Sequence, residues 1–173
     1  MNTPHKSLNP MEVQKIAQRP IAVLKYEQID DFNNLQDLFQ DTNCLLLLYE
    51  TKLNTGHWVC LLSKPNEVEF FDPYGIEPDN QLLFTHIKFR KENDMDYPYL
   101  TDLLLKDPRN IIYNNKRLQM MTPNIETCGY WCGFRMNKYD LGLDEFTNIF
   151  KGVPRESKDD AIVQVANKIS PIV

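Results

Sequence analysis

Between residues 44 and 71 three apolar runs follow one another with only short turn segments between them, and this pattern most restricts what the chain can become. Residues 44–50 (CLLLLYE), 57–62 (HWVCLL) and 68–71 (VEFF) each have the length and composition of a strand. Asn54-Thr55-Gly56 and Lys64-Pro65-Asn66 separate them and carry turn chemistry. The flanking sequence reads differently. Residues 11–18 form a short helix closed by Pro20. Residues 30–39 repeat Phe32, Leu35, Leu38 and Phe39 at helical spacing behind an Asp30 or Asp31 cap. Further helices are predicted over 80–89, 97–105, 128–139 and 157–169, with a short strand at 110–113. This order is that of an α+β fold: a small mixed or antiparallel central sheet flanked by helices, rather than alternating βαβ units. A length of 173 residues fits one domain, 1–173, with a substantial core.

Charge and composition exclude several classes of function. The net charge is -5, whereas a protein that grips phosphates needs a basic surface. The short basic clusters at 88–91 and 116–117 do not supply one, so strong nucleic-acid binding is not expected. The longest apolar run, 44–49, is six residues, far below the ~20 that span a bilayer. Residues 1–10 are polar and hold two prolines, which argues against a secretory signal and for an intracellular chain. Four cysteines, Cys44, Cys60, Cys128 and Cys132, are too few and too scattered to staple a scaffold. Three of them are expected to be buried as small hydrophobes.

A chemical reading starts in the second and third strands. Folded as one antiparallel hairpin about Lys64-Pro65, they place Val59 against Phe70 and Leu61 against Val68 on one face. The same register sets His57 opposite Asp72, with Cβ atoms ~4.5–5.5 Å apart. A slip of one residue would oppose apolar side chains to glutamates instead. On spacing alone, a structural His–Asp hydrogen bond and a catalytic one remain equally open.

Cys128 supplies the further group. In Thr127-Cys128-Gly129-Tyr130-Trp131-Cys132-Gly133-Phe134 a loop becomes a helix, and a thiol at that point feels the helix dipole and unpaired backbone N–H groups. Gly129 is expected to leave room beside the sulfur for an extended substrate backbone. Trp58 and Trp131 flank the reactive residues. Each is read either as core or as the wall of a narrow groove that admits only glycine-sized side chains. Cys128 and Cys132 with a histidine also raise the possibility of zinc, but the tighter paired-cysteine spacing of zinc sites is missing. No metal or other cofactor is expected.

Together these segments carry a family resemblance. Gly56-His57-Trp58-Val59, Phe70-Phe71-Asp72-Pro73-Tyr74-Gly75, Leu118-Gln119 and Thr127-Cys128-Gly129-Tyr130-Trp131-Cys132 resemble the successive motifs of adenovirus-type cysteine proteases, the adenain-like and SUMO-deconjugase-like enzymes. The segment Asn148-Ile149-Phe150-Lys151-Gly152-Val153-Pro154 resembles one downstream of their catalytic helix. The order His, Asp, Gln, Cys is a permutation of the papain order. The compact size is most like the maturation proteases of virophages and polinton-type elements. The resemblance implies His57 as base, Asp72 as its orienting partner, Cys128 as nucleophile and Gln119 as oxyanion donor, with Asn115 and Asn124 as fallback donors. It further implies cleavage of Gly-containing sites in capsid or virion precursor proteins, in the virion and host cytoplasm, by a monomer that an activating peptide can stimulate. Deconjugation of ubiquitin-like proteins, acyl transfer from CoA and a non-enzymatic interaction domain are the competing readings.

Overall fold

The computed structural model describes residues 6–171. The first five residues of the polar N-terminal stretch lie outside the described residues. The centre is a five-stranded mixed sheet in the order β1-β2-β3-β4-β5: Ala22–Lys25, Cys44–Lys52, Thr55–Ser63, Glu67–Phe71 and Asn110–Tyr113. β2, β3 and β4 form an antiparallel meander, while β1 and β5 lie parallel to their neighbours at the two edges. The α+β expectation therefore holds.

Both faces of the sheet are covered, which explains why β2 reads as a continuous apolar run rather than an alternation. On one face Cys44, Leu46, Leu48, Trp58, Cys60, Leu62 and Phe71 meet α1 (Pro10–Ala17), α4 (Cys128–Asn137), α5 (Leu143–Asn148) and α6 (Lys158–Ile169). On the other, Leu45, Leu47, Tyr49, Val59, Leu61, Val68 and Phe70 meet α3 (Tyr99–Lys106) and three 3-10 turns. α1 has a capping box: Glu12 N donates to Asn9 Oδ1 at 2.9 Å, Asn9 N to Glu12 Oε1 at 3.1 Å, and Pro10 occupies the first turn. α4 is buried along nearly its whole length. It approaches α1 closely because a Cβ at Gly133 would lie 2.9 Å from the Ile16 side chain.

Three expectations need correction. Residues 30–39 are not one helix but parts of the 3-10 turns Tyr26–Asp31 and Gln36–Phe39. Asn34 takes the Asp37 N–H on its own side-chain oxygen at 3.0 Å, offering the backbone an alternative to a continuing helix. Residues 80–89 are likewise divided, into the 3-10 turn Asn80–Phe84 and α2 (Ile87–Glu92). Thr85 is extended there, and His86 Nδ1 caps the new helix by accepting from Lys88 N at 3.1 Å. The hairpin register is shifted by two residues: Leu61 pairs with Phe70 and Cys60 with Phe71. Lys64 N donates to Glu67 O at 2.9 Å, so the turn residues are Pro65-Asn66 rather than Lys64-Pro65. Proline's fixed φ suits the first central position of such a turn. A shift of two keeps every side chain on its face.

β4 and α4 are tied by a fully buried ion pair. Arg135 Nε and Nη2 donate to the two Glu69 oxygens at 2.8 Å each, and the same guanidinium also serves the Lys138 and Leu141 carbonyls. Removing one partner of such a pair strands the other charge, at a cost of about 3–5 kcal/mol. Arg135→Met should lose about that much in urea denaturation, and adding Glu69→Leu should recover most of it. An Arg135→Met protein as stable as wild type would contradict this role.

Candidate active site

β3, the turn after β4, the 118–127 loop and the start of α4 converge at one end of the sheet. His57, near the start of β3, is fixed there by a close approach of strands. Gly56 lies so near β2 that a Cβ would sit 2.0 Å from the Tyr49 carbonyl oxygen. Asp72 follows β4 directly and opens the turn Asp72-Pro73-Tyr74-Gly75, closed by Gly75 N donating to Asp72 O at 2.8 Å. Gly75 has φ +73, and a Cβ there would meet the Lys116 backbone at 2.7 Å, so glycine is required twice over.

Within this frame His57 Nε2 donates to Asp72 Oδ1 at 2.7 Å. The expected pair thus forms, though diagonally, because the shifted register brings Tyr74 beside His57. Their rings stack with centroids 4.1 Å apart and planes inclined by 8°. Asp72 Oδ1 also accepts from Tyr74 N at 2.8 Å. Oδ2 is buried with no hydrogen-bond donor among the described residues, so the imidazole is the principal counterweight to the carboxylate.

The Cys128 thiol stands at the first residue of α4, at 5% exposure. It receives the Trp58 backbone N–H at 3.5 Å and lies in the same cleft as the His57 ring. Burial works against a charged imidazole, but the Asp72 carboxylate and then Cys128 together outweigh it, raising the His57 pKa to about 10. The other three cysteines are fully buried. Burial holds the Cys132 thiol well above the ordinary range and pushes Cys44 up to about 12, so neither is a reactive thiolate at neutral pH. Cys132 Sγ faces the Trp58 carbonyl at 3.6 Å. Among the described residues, no group of three or more His, Cys, Asp or Glu side chains is placed to hold a metal ion.

Gln119 is buried beside this cluster. Its backbone N and that of Leu118 both donate to Pro73 O, at 3.0 and 2.9 Å, tying the loop to the Asp72 turn. The side-chain amide uses one N–H on Ile125 O at 3.2 Å, and an amide has two. Gln119, His57, Tyr74 and Cys128 share the lining of a cleft of about 230 Å³ with Ser7 and Gly56. Asn115 and Asn124 do not line it.

Trp58, Trp131 and Gly129 do not line the cleft either, which corrects their reading as substrate-binding residues. Trp58 turns its indole N–H to Leu8 O at 3.1 Å, and Trp131 is wholly buried against Phe150. The space over Gly129 is filled by the protein itself: a Cβ there would meet Leu8 at 3.0 Å and Val13 at 3.2 Å. Two supporting residues escaped the sequence reading. Tyr74 belongs to the Phe70–Gly75 motif, where nothing in the sequence marks it as a partner of His57. Asn114 donates through Nδ2 to both Asp72 O (2.8 Å) and Lys116 O (2.9 Å), locking the turn from behind.

Fold and site together define a mixed α+β protein with a thiol–imidazole–carboxylate cluster at a helix N-terminus. No family model matches the chain. It is 33% identical over 141 residues to uncharacterized protein V9 of Sputnik virophage, covering 81% of each sequence, and it belongs to the family of that protein. Similar solved structures include the ASFV pS273R protease (TM-score 0.42, 14% identity, 88% of this chain and 62% of that one). ChlaDub1 from Chlamydia trachomatis is another (TM-score 0.43, 13% identity, 92% and 75%). The chain therefore spans less than two thirds of the ASFV protein's length. No described helix is long and apolar enough to cross a membrane.

The raised His57 pKa fixes a sign for pH dependence. Between the unfolded value near 6.5 and the folded value of about 10, the native state holds a proton that the unfolded chain releases. The pair's stabilisation is thus fully present below pH 6.5 and is lost as pH rises through 10. In a Cys128→Ala background, which removes the thiol's own titration, the urea midpoint should fall between pH 7 and 10. That fall should shrink when Asp72→Asn is added. Equal slopes with and without Asp72→Asn would contradict the coupling.

Proposed function

We propose that the chain is a cysteine-type endopeptidase with Cys128 as nucleophile, His57 as acid and base, Asp72 as the orienting partner and Gln119 as an oxyanion donor. One observation carries this reading: a cysteine at a helix N-terminus shares a cleft with an imidazole that a buried carboxylate holds at 2.7 Å. That is the arrangement nucleophilic catalysis by a thiol requires.

The thiolate attacks the peptide carbonyl carbon, forming a C–S bond, and the carbonyl π electrons move to oxygen. Gln119 Nε2 and the backbone N–H of Cys128 hold that oxyanion. As the intermediate collapses the C–N bond breaks, and His57 gives its proton to the leaving amine. Water, deprotonated by His57, then attacks the thioester. The acid leaves and the thiolate–imidazolium pair is restored. Asp72 keeps the ring's second nitrogen facing the sulfur.

The proposed substrates are capsid or virion precursor proteins cut at Gly-containing sites, in the virion and host cytoplasm. Kinship with a virophage protein supports a viral setting. The small volume of the cleft, and the stacking of Tyr74 across His57, support small residues beside the scissile bond. The net charge of -5 supports catalysis without strong binding to DNA, and leaves a peptide as the kind of activator to seek.

Incubation with candidate virion precursors, followed by N-terminal identification of the products, tests the reading. Cys128→Ala should abolish cleavage, and Gln119→Ala should lower kcat by roughly 100–1,000-fold. Peptides with Ala for Gly at the cleaved bond should react more slowly. Cleavage that survives Cys128→Ala would refute the assignment. Exclusive cleavage of ubiquitin-like conjugates would replace the endopeptidase with a deconjugase.

A further inference from the structure

Asp159 lies in the first turn of α6, 31 residues beyond the thiol, yet its carboxyl group is buried at 2% exposure beneath the site. A first-turn acid usually faces water and complements the helix dipole. This one is turned inward onto three donors. Oδ1 accepts from the Thr127 hydroxyl and from Trp131 Nε1 at 3.1 Å, and Oδ2 accepts from Met120 N at 3.0 Å. Thr127 immediately precedes Cys128, and Met120 immediately follows Gln119. The two oxygens of one side chain therefore grip the segments that supply the two oxyanion donors proposed above.

We infer that Asp159 is a positioning residue for the oxyanion pocket, fixing the separation between the Cys128 backbone N–H and the Gln119 amide; this rests on the protease reading of those two residues. The 118–127 loop has few other fixtures at that point. Gln119 is tied to the Pro73 carbonyl on one side and to Ile125 on the other, and both ties belong to the loop or to the Asp72 turn. Asp159 alone among these contacts joins the loop to the start of α4. Oxyanion donors act only when preset within tenths of an ångström of the place where charge develops, so a small drift at Gln119 weakens catalysis while leaving the cleft and thiol in place.

Asp159→Asn separates positioning from general stability. The substitution keeps the shape but replaces one acceptor oxygen with an NH2 group. With its oxygen kept on Thr127 and Trp131, its NH2 confronts the Met120 N–H, donor against donor. The experiment compares hydrolysis of a fluorogenic Gly-Gly peptide amide with alkylation of Cys128 by iodoacetamide, a reaction that forms no oxyanion. In Asp159→Asn, kcat should fall about 10–100-fold, while KM and the alkylation rate stay within about threefold of wild type. A kcat within threefold of wild type, or alkylation that falls in step with kcat, would overturn the inference. If Asp159→Asn does not fold, Thr127→Val carries the same comparison. It should lower kcat about 3–10-fold, with Thr127→Ser restoring it, and an unchanged kcat overturns the role. Failure of the protease reading itself is distinct, because it shows in the wild type as neither hydrolysis nor alkylation at Cys128.

Discussion

A hydrogen bond of 2.7 Å between His57 Nε2 and Asp72 Oδ1, closed off from water at the rim of the sheet, is the contact on which the site depends. Burying an imidazolium and a carboxylate together costs several kcal/mol per ion unless their geometry is very good. The surrounding structure secures that geometry. Tyr74 lies flat on the ring and donates its backbone N–H to the same carboxylate oxygen. Asn114 and the left-handed Gly75 hold the turn that carries Asp72. The charge on the ring is in turn what the thiol meets.

The rest of the fold serves to bring a sulfur to that ring. α4 is buried on every side, braced by α1 across Gly129 and Gly133 and anchored to β4 through Arg135 and Glu69. Its first residue has little freedom to move. The segment ahead of α1 completes the arrangement: Leu8 covers Gly129 and accepts the Trp58 indole N–H, while Ser7 reaches the cleft. Features that look like substrate contacts in the sequence thus turn out to hold the scaffold together.

Much of this was legible from the residues, and the misses have physical causes. The central strands, the face on which His57 and Asp72 lie, and the helix start at Cys128 follow from period-two and period-3.6 patterns, which survive errors of detail. The register did not, because choosing Pro65-Asn66 over Lys64-Pro65 as the turn alters it by two without changing any face. The helix expected over 30–39 failed because 3-10 turns also bury Leu35, Leu38 and Phe39. β1, only four residues long, and the six-residue α5 were too short to stand out. Trp58, Trp131 and Gly129 were misplaced because an aromatic or a glycine beside a reactive residue looks the same whether it faces substrate or core. Asn114 and Asp159 carry no local signal at all; their roles arise only from contacts with residues distant in the chain.

The most direct test of the central claim is where an active-site-directed electrophile attaches. A peptide vinyl sulfone ending in glycine, incubated with the native protein at neutral pH and followed by peptide mapping, should modify Cys128 and leave Cys44, Cys60 and Cys132 untouched. The adduct should disappear in His57→Ala while the protein stays folded. Modification spread over all four cysteines, or a Cys128 adduct that forms equally fast without His57, would contradict a thiol activated by the buried His57–Asp72 pair.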